Sequence, residues 1–115
     1  MEPLSFSDGN IFAEAKHLYT VSAAPGTRVY GERTPTVGGV EYREWNPQRS
    51  KLAAYIAKGG RCLPLRKGFN VLYLGASSGT TASHVSDLVN PGRVYCVEFA
   101  PRMFRDLIAN CTPRP

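Results

Sequence analysis

The chain has 115 residues, and its 14 Lys and Arg against 9 Asp and Glu give a formal charge of +5, which favours a polyanionic partner. It is long enough for one domain with a core and has no apolar run near the ~20 residues that span a bilayer, and its first residues show neither the basic start nor the apolar middle of a signal peptide. Three cysteines without a Cys-x-x-Cys pair and two histidines predict no disulfide framework and no metal site, as in a reducing cytoplasm.

Residues 1–44 are predicted to form a small antiparallel β unit. Short segments rich in β-forming residues are separated by turn residues such as Gly38-Gly39. The last segment alternates apolar and charged side chains, which is typical of a strand with one face in water. The predicted strands lie at residues 11–12, 18–21, 28–30 and 40–43.

A helix is predicted after Trp45. Asn46 is a good N-cap, Pro47 suits the first helical position, and Gly59 suits the C-terminal stop. The apolar spacing predicts a packed side formed by Leu52, Tyr55 and Ile56.

Positive charge is concentrated between residues 43 and 67, which contain seven basic residues and one acidic residue. Arg49 would lie in the first helical turn, where a cation opposes the helix dipole by about 0.3–1 kcal/mol. The segment is either an ordinary solvated helix face and loop, or a surface for an anionic substrate such as a nucleic-acid backbone. Its basic residues are Arg43, Arg49, Lys51, Lys58, Arg61, Arg66 and Lys67.

Residues 71–99 have the pattern of a βαβ unit. The apolar runs Val71–Leu74 and Val94–Val97 suit buried parallel strands. Between them, apolar residues recur at helical spacing until Asn90-Pro91-Gly92 ends the helix. Such a unit is the smallest piece of a nucleotide-binding α/β sheet.

The turn after the first of these strands, residues 75–81, fits neither the dinucleotide fingerprint nor the P-loop. Gly75 lets the chain bend out of the strand, and Gly79 lets a ligand approach the backbone. Glu98, 23 positions after Gly75, is placed to accept hydrogen bonds from ribose hydroxyls. A ribose without a phosphate cradle points to S-adenosyl-L-methionine, and a structural glycine turn with an incidental Glu98 is the alternative.

Three motifs, in residues 42–54, 71–87 and 94–102, resemble the fibrillarin family. Its members are S-adenosylmethionine-dependent RNA 2′-O-methyltransferases of box C/D guide ribonucleoproteins. The resemblance runs from about residue 10 to 108, and without a Gly/Arg-rich N-terminal extension the chain is similar to the archaeal form. It implies an α/β fold, in which the β unit of residues 1–44 precedes the first half of a Rossmann-like methyltransferase sheet in residues 45–115.

The resemblance also implies an activity, partners and a site. The activity is 2′-O-methylation of rRNA and tRNA, and the partners are box C/D guide RNA, target RNA, a Nop-domain scaffold protein and a kink-turn-binding protein. Lys51 falls on the family's first catalytic lysine, where a cation would stabilise the developing alkoxide. His84 is interpreted as a packing or helix-surface residue without a catalytic role. The implied cofactor-binding residues are Gly75, Ala76, Ser77, Gly79, Thr80, Thr81, Glu98 and Phe99.

The end of the chain departs from the family. Pro113 and Pro115 would break a continuing helix, and the family's later acidic residues, second lysine and histidine have no positions here. We therefore expect an incomplete domain that binds the cofactor weakly, turns over poorly and self-associates through open strand edges. Two other classes stay open: a non-catalytic module that binds a scaffold protein or RNA, and a nicotinamide-dependent oxidoreductase, which the failed glycine fingerprint disfavours.

Overall fold

The computed structural model describes all 115 residues and contains one antiparallel sheet, one parallel strand pair and three helices. The antiparallel sheet has the spatial order β1-β2-β3-β5-β4. Its strands are β1 (Glu2–Pro3), β2 (Ile11–Glu14), β3 (His17–Val21), β4 (Thr36–Val37) and β5 (Val40–Trp45). The remaining elements are α1 (Lys51–Ala57), β6 (Val71–Leu74), α2 (Thr80–Val89), β7 (Val94–Val97) and α3 (Pro101–Cys111).

Three of the four strands predicted in the N-terminal unit are confirmed, and the one at residues 28–30 is wrong. Those residues form a loop that folds around Glu32. The amides of Val29 and Tyr30 donate to the Glu32 carboxylate, at 3.1 and 2.9 Å. Because a side chain accepts these amide protons, they are not available to a neighbouring strand.

The face assignment of β5 is also wrong. Val40 is exposed, whereas Arg43 and Trp45 are fully buried. A guanidinium tolerates this burial only when acceptors surround it, and Arg43 has three: the carboxylates of Glu32 and Asp87 and the Ser83 hydroxyl.

The helix after Trp45 begins later than predicted, at Lys51. Its N-cap is Ser50, whose hydroxyl accepts from the amide of Ala53, so the prediction of Asn46 as N-cap and Pro47 as first helical residue is wrong. Asn46 instead caps a separate turn by accepting from the Gln48 amide at 2.8 Å.

The predicted stop of α1 is confirmed, but its packed side is only partly so. Gly59 has a φ of +101°, directly after the C-cap Lys58. Ile56 is buried, whereas Tyr55 is 42% exposed. The Tyr55 hydroxyl bonds the backbone of Cys62 at the edge of the fold, which holds the ring outside the core.

The βαβ unit is confirmed in all three elements, and with it the α/β class. The strands β6 and β7 are parallel, with Val71 opposite Val94 and Leu74 opposite Val97. One face of this pair packs on Ala76, Ala82 and Leu107. The other face is exposed and carries Leu72, Leu74, Tyr95 and Val97.

The two halves of the chain share one hydrophobic core. Ile11 and Leu18 of the antiparallel sheet pack in the same cluster as Ala53 and Ile56 of α1 and Leu88 of α2. This cluster holds α1 and α2 against the sheet, and their N-termini carry predicted site residues. None of the three helices is long and apolar enough to cross a membrane.

Candidate active site

The predicted glycine turn lies where the two parallel strands end. The amides of Gly75 and Ala76 both donate to the carbonyl of Val97, at 2.8 and 3.1 Å, so the turn closes over the end of β7. Gly75 has a φ of +77° and open space around it, which agrees with the predicted bend. Ser77 also has a positive φ, +54°, a conformation that a residue with a side chain adopts at a cost of about 1–2 kcal/mol.

Glu98 joins this turn to the segment that follows β7. One carboxylate oxygen accepts from the Ser77 amide at 2.7 Å, and the other accepts from the Ala100 amide at 3.0 Å. An ionised carboxylate has about four acceptor positions, so roughly two stay available for the hydroxyls of a ligand. The two amides fix the direction in which those positions point.

The N-terminus of α2 borders the same turn. No side chain caps this helix, and Thr80 and Thr81 occupy its first two positions. Uncapped amide groups at a helix start favour a negatively charged or strongly polar group. Thr80 is half-buried, and the Thr81 hydroxyl donates to the Ser50 hydroxyl at 2.8 Å.

Gly79 does not leave room for a ligand, contrary to the prediction from sequence. A Cβ there would lie 2.6 Å from the Cys111 sulfur and 3.0 Å from the Leu107 Cδ1 atom. Helix α3 therefore makes the close approach at this position. The glycine is required by that packing and by its φ of +95°.

Lys51 is the first residue of α1 and is exposed. The residue before it, Ser50, is buried and links the starts of α1 and α2. Its hydroxyl oxygen accepts from the Trp45 indole at 3.0 Å and from Thr81 at 2.8 Å. Ser50 was missed in the sequence, although a serine directly before a run of helix-forming residues is itself an N-cap signal.

Most of the predicted site residues therefore lie around the carboxyl ends of the parallel strands β6 and β7. The turn, Glu98 and the first residues of α2 are in direct contact, and Ser50 brings the start of α1 beside them. Phe99 is the exception, because its ring is 95% exposed and packs on nothing.

Behind the site, a buried polar network ties α2 to the antiparallel sheet. His84 is fully buried and stacks on the Trp45 ring, with 5.2 Å between centroids. Its Nδ1 atom lies 2.9 Å from the Thr20 hydroxyl, and its Nε2 atom lies 2.7 Å from the Tyr30 hydroxyl. This confirms the interpretation of His84 as a packing residue.

Arg43 forms the second half of the network. It pairs with Glu32 at 2.7 Å and with Asp87 at 2.8 Å, and all three side chains are buried. Asp87 also accepts from the Thr20 hydroxyl and pairs with Arg114. Arg43 is therefore a structural cation and does not belong to the predicted basic surface.

The network shifts the pKa of several groups. Burial, followed by the positive charges of Arg43 and Arg114, lowers the pKa of His84 well below its ordinary value. Burial raises the pKa of Tyr30 to about 12. Burial also opposes ionisation of Glu32, but hydrogen bonds from the Tyr30 amide and the charge of Arg43 outweigh it and lower the pKa of that carboxyl.

The other six basic residues of the 43–67 segment are exposed. Arg49 lies over the Tyr30 ring, 5.8 Å from its centroid, and Arg66 is 3.8 Å from the Asp8 carboxylate. These six residues, which we call the basic surface, are Arg49, Lys51, Lys58, Arg61, Arg66 and Lys67.

Residues 8–115 match the family described as fibrillarin. The chain is 55% identical over 104 residues to a fibrillarin-like rRNA/tRNA 2′-O-methyltransferase of Methanothermobacter thermautotrophicus, and the alignment covers 90% of this chain and 46% of that protein. The corresponding protein of Pyrobaculum neutrophilum is 54% identical, with 91% and 43% covered. The chain thus spans less than half the length of these curated relatives.

Two solved structures are similar to the structure of this chain. Aeropyrum pernix fibrillarin in complex with natively bound S-adenosyl-L-methionine has a TM-score of 0.82 and 55% identity, covering 85% of this chain and 43% of that one. A fibrillarin/Nop5p complex has a TM-score of 0.76 and 42% identity, covering 91% and 47%.

Proposed function

The chain belongs to the fibrillarin family, and we propose that it forms one side of the cofactor-binding site and supplies one catalytic lysine of an S-adenosylmethionine-dependent RNA 2′-O-methyltransferase. The observation that supports this most directly is that the glycine turn, Glu98 and the starts of α1 and α2 lie together at the carboxyl ends of the parallel strands. Ligands of α/β sheets bind outside the carboxyl ends of the strands.

The residues present fit S-adenosylmethionine. Glu98 has acceptor positions for the two ribose hydroxyls, and its direction is fixed by the amides of Ser77 and Ala100. The uncapped start of α2, at Thr80 and Thr81, suits the carboxylate of the methionine part. The exposed ring of Phe99, next to Glu98, offers a flat apolar surface for the adenine base. In this arrangement Gly75, Ala76 and Gly79 shape the turn.

Lys51 would act on the other substrate, the RNA. When bound, S-adenosylmethionine supplies a methyl group on a cationic sulfur, and the acceptor is a ribose 2′-hydroxyl. The ammonium of Lys51 beside that oxygen would stabilise the negative charge that the oxygen acquires as its proton passes to water. The carbon–oxygen bond would then form as the carbon–sulfur bond breaks and leaves a neutral thioether. Ser50 would position Lys51, because it fixes the start of α1 against Thr81.

The partners are proposed on the same basis. The basic surface would contact the phosphates of a guide RNA and of an rRNA or tRNA target, and base pairing with the box C/D guide would select the nucleotide. The similarity to a fibrillarin/Nop5p complex supports a Nop-domain scaffold as protein partner. A kink-turn-binding protein would complete the particle. The isolated chain would also self-associate through the open edges of β6 and β7, which sedimentation at rising concentration tests.

Calorimetric titration of the chain with S-adenosylmethionine tests the cofactor site. We expect saturable binding that Glu98→Gln weakens by about 10- to 100-fold, because hydrogen bonds to a charged group contribute about 1.5–3 kcal/mol. Glu2→Gln is the matched control, since Glu2 is exposed at the far edge of the antiparallel sheet. Absent binding, or binding that Glu98→Gln leaves unchanged, contradicts the proposal.

Transfer of a labelled methyl group to a guide–target RNA duplex, by this chain extended to the length of its relatives, tests Lys51. Lys51→Ala should lower transfer by at least about 100-fold while the affinity for S-adenosylmethionine changes little, because the lysine acts on the transition state. Lys16→Ala, in the exposed turn between β2 and β3 and outside the basic surface, should leave the rate nearly unchanged. Equal effects of the two substitutions would exclude the catalytic role of Lys51.

A further inference from the structure

The largest cavity of the chain lies away from the candidate active site. It has a volume of about 450 Å³ and opens between the β2–β3 turn and the C-terminal end of α1. Lys51 lies at the other end of that helix, and none of the proposed site residues lines the cavity. We call this cavity the α1 groove.

The floor of the α1 groove is apolar. Seven of its twelve lining residues are hydrophobic, among them Leu4, Phe6 and Ala13. Leu18 and Ile56 also line it, and both belong to the main hydrophobic core. An occupant would therefore bury apolar surface directly against the core of the protein.

The charged residues that line the groove are basic, and the lining His17 contacts the Glu44 carboxylate at 2.9 Å. None of the twelve lining residues is acidic, whereas Lys16 and Arg61 are exposed at its edge. The Arg61 guanidinium lies over the Phe6 ring, 5.6 Å from the centroid, and donates to the Ser5 hydroxyl at 3.4 Å. Arg61 is thus held at the rim without a carboxylate partner, and Lys16 forms no ion pair.

The β2–β3 turn contributes a strained residue to the same wall. Glu14 is opposite His17, so Ala15 and Lys16 form a two-residue loop. Ala15 has a φ of +55°, where glycine or asparagine is usual and alanine costs about 1–2 kcal/mol. This conformation sets the Ala15 methyl against the groove and Lys16 at its edge. Strain kept at such a position is a reason to look for a function there.

We propose that the α1 groove binds a segment of a partner protein that is apolar on one face and carries carboxylates beside it. A nucleic-acid backbone would pair with Lys16 and Arg61 but leave the apolar floor in water. A neutral apolar segment would fill the floor but leave both cations unpaired. An acidic amphipathic segment would cover the apolar floor and also pair with Lys16 and Arg61. This interaction is independent of cofactor binding and of Lys51.

Fluorescence anisotropy with a labelled amphipathic helical peptide, with leucines on one face and glutamates flanking it, tests this proposal. The intact chain should bind it at least about tenfold more tightly than the same peptide with lysines at the glutamate positions or serines at the leucine positions. Equal binding of the acidic and basic peptides, or no binding, overturns the proposal. Complete displacement of the peptide by single-stranded RNA also overturns the proposal, because RNA on the basic surface would share only Arg61 with the peptide. Loss of the peptide as the chain self-associates overturns it as well.

Substitutions in the chain then test whether the peptide binds in the α1 groove. The double variant Lys16→Glu/Arg61→Glu should weaken binding of the acidic peptide about tenfold and strengthen binding of the basic peptide. Ala57→Arg, at an exposed lining position, should weaken both by filling the groove while keeping a positive charge. The charge-matched control Arg102→Glu/Arg105→Glu, on the exposed side of α3, should change neither. A control variant that weakens binding as much as the groove variants overturns the assignment.

Discussion

Acidification should destabilise this chain through His84, well before its carboxylates titrate. The ring is fully buried, and the Thr20 hydroxyl donates to Asp87, so Nδ1 carries the proton and donates to Thr20. The Tyr30 hydroxyl lies 2.7 Å from Nε2, but it donates its one proton to the Glu44 carbonyl. Burial and then the positive charges of Arg43 and Arg114 favour the neutral ring, and Asp87 does not offset them because it is already paired with both arginines.

The magnitude follows from the difference in proton binding. An unfolded histidine has a pKa of about 6.5, whereas burial and then the charges of Arg43 and Arg114 lower the pKa of His84 in the folded chain. The depressed pKa means that stability is complete above about pH 6.5 and is lost as the unfolded state takes up a proton below it. Between pH 7 and pH 5 the loss is about 2 kcal/mol if the folded ring stays neutral, a large part of a typical 5–15 kcal/mol.

Urea unfolding at half-unit steps from pH 5 to pH 7.5 measures this loss. His84→Asn should be less stable at pH 7 but should lose the slope between pH 5 and 7. The other histidine, His17, is exposed, and His17→Asn should keep the slope of the parent. Glu32 does not interfere, because its pKa is also depressed and its contribution is lost only below about pH 4. A parent that is flat between pH 5 and 7, or a His84→Asn variant with the parent's slope, would refute the reasoning.

Three further substitutions test the packing behind the site, each by the free energy of unfolding in urea. Arg43→Met should cost about 3–5 kcal/mol, because it leaves the buried Glu32 carboxylate without a cation and Asp87 with Arg114 alone; a cost below 1 kcal/mol would contradict the buried pairing. Ser50→Ala should cost about 2 kcal/mol, from a lost N-cap and two unpaired donors, and Ser50→Thr should recover part of it. Gly79→Ala should cost more than Gly26→Ala, because both have positive φ but only Gly79 faces Cys111; equal costs would contradict the packing of α3.

The parallel strand pair could be predicted because its signals are local. The two apolar runs and the Asn-Pro-Gly stop between them fix two strands and a helix without reference to the rest of the chain. The distance from Gly75 to Glu98 then follows, because parallel strands place their carboxyl ends at the same edge. For this part of the site, the spacing along the chain determines the geometry.

Several of the errors share one cause, which is that partners distant in sequence decide the outcome; the loop at residues 28–30, which depends on nearby Glu32, is an exception. The sequence predicts Arg43 to be a surface cation because the carboxylates that pair with it lie 11 and 44 positions away along the chain. Asn46 and Ser50 are both good N-caps by residue type. Ser50 caps the helix because its hydroxyl also serves the Trp45 indole and Thr81, and neither contact can be read from local spacing.

The contacts of the buried polar network explain how the candidate site keeps a fixed geometry although the start of α2 has no cap. The first residues of α2 have no cap of their own, so the loop around Gly79 does not fix them by itself. The helix is held further along by His84 and Asp87, which lie on the same face of α2 and both contact the Thr20 hydroxyl of β3. A buried charge that lost its partner would be costly, so this attachment to the sheet resists sliding and rotation of α2. The polar network therefore acts on the candidate site through the position of the helix.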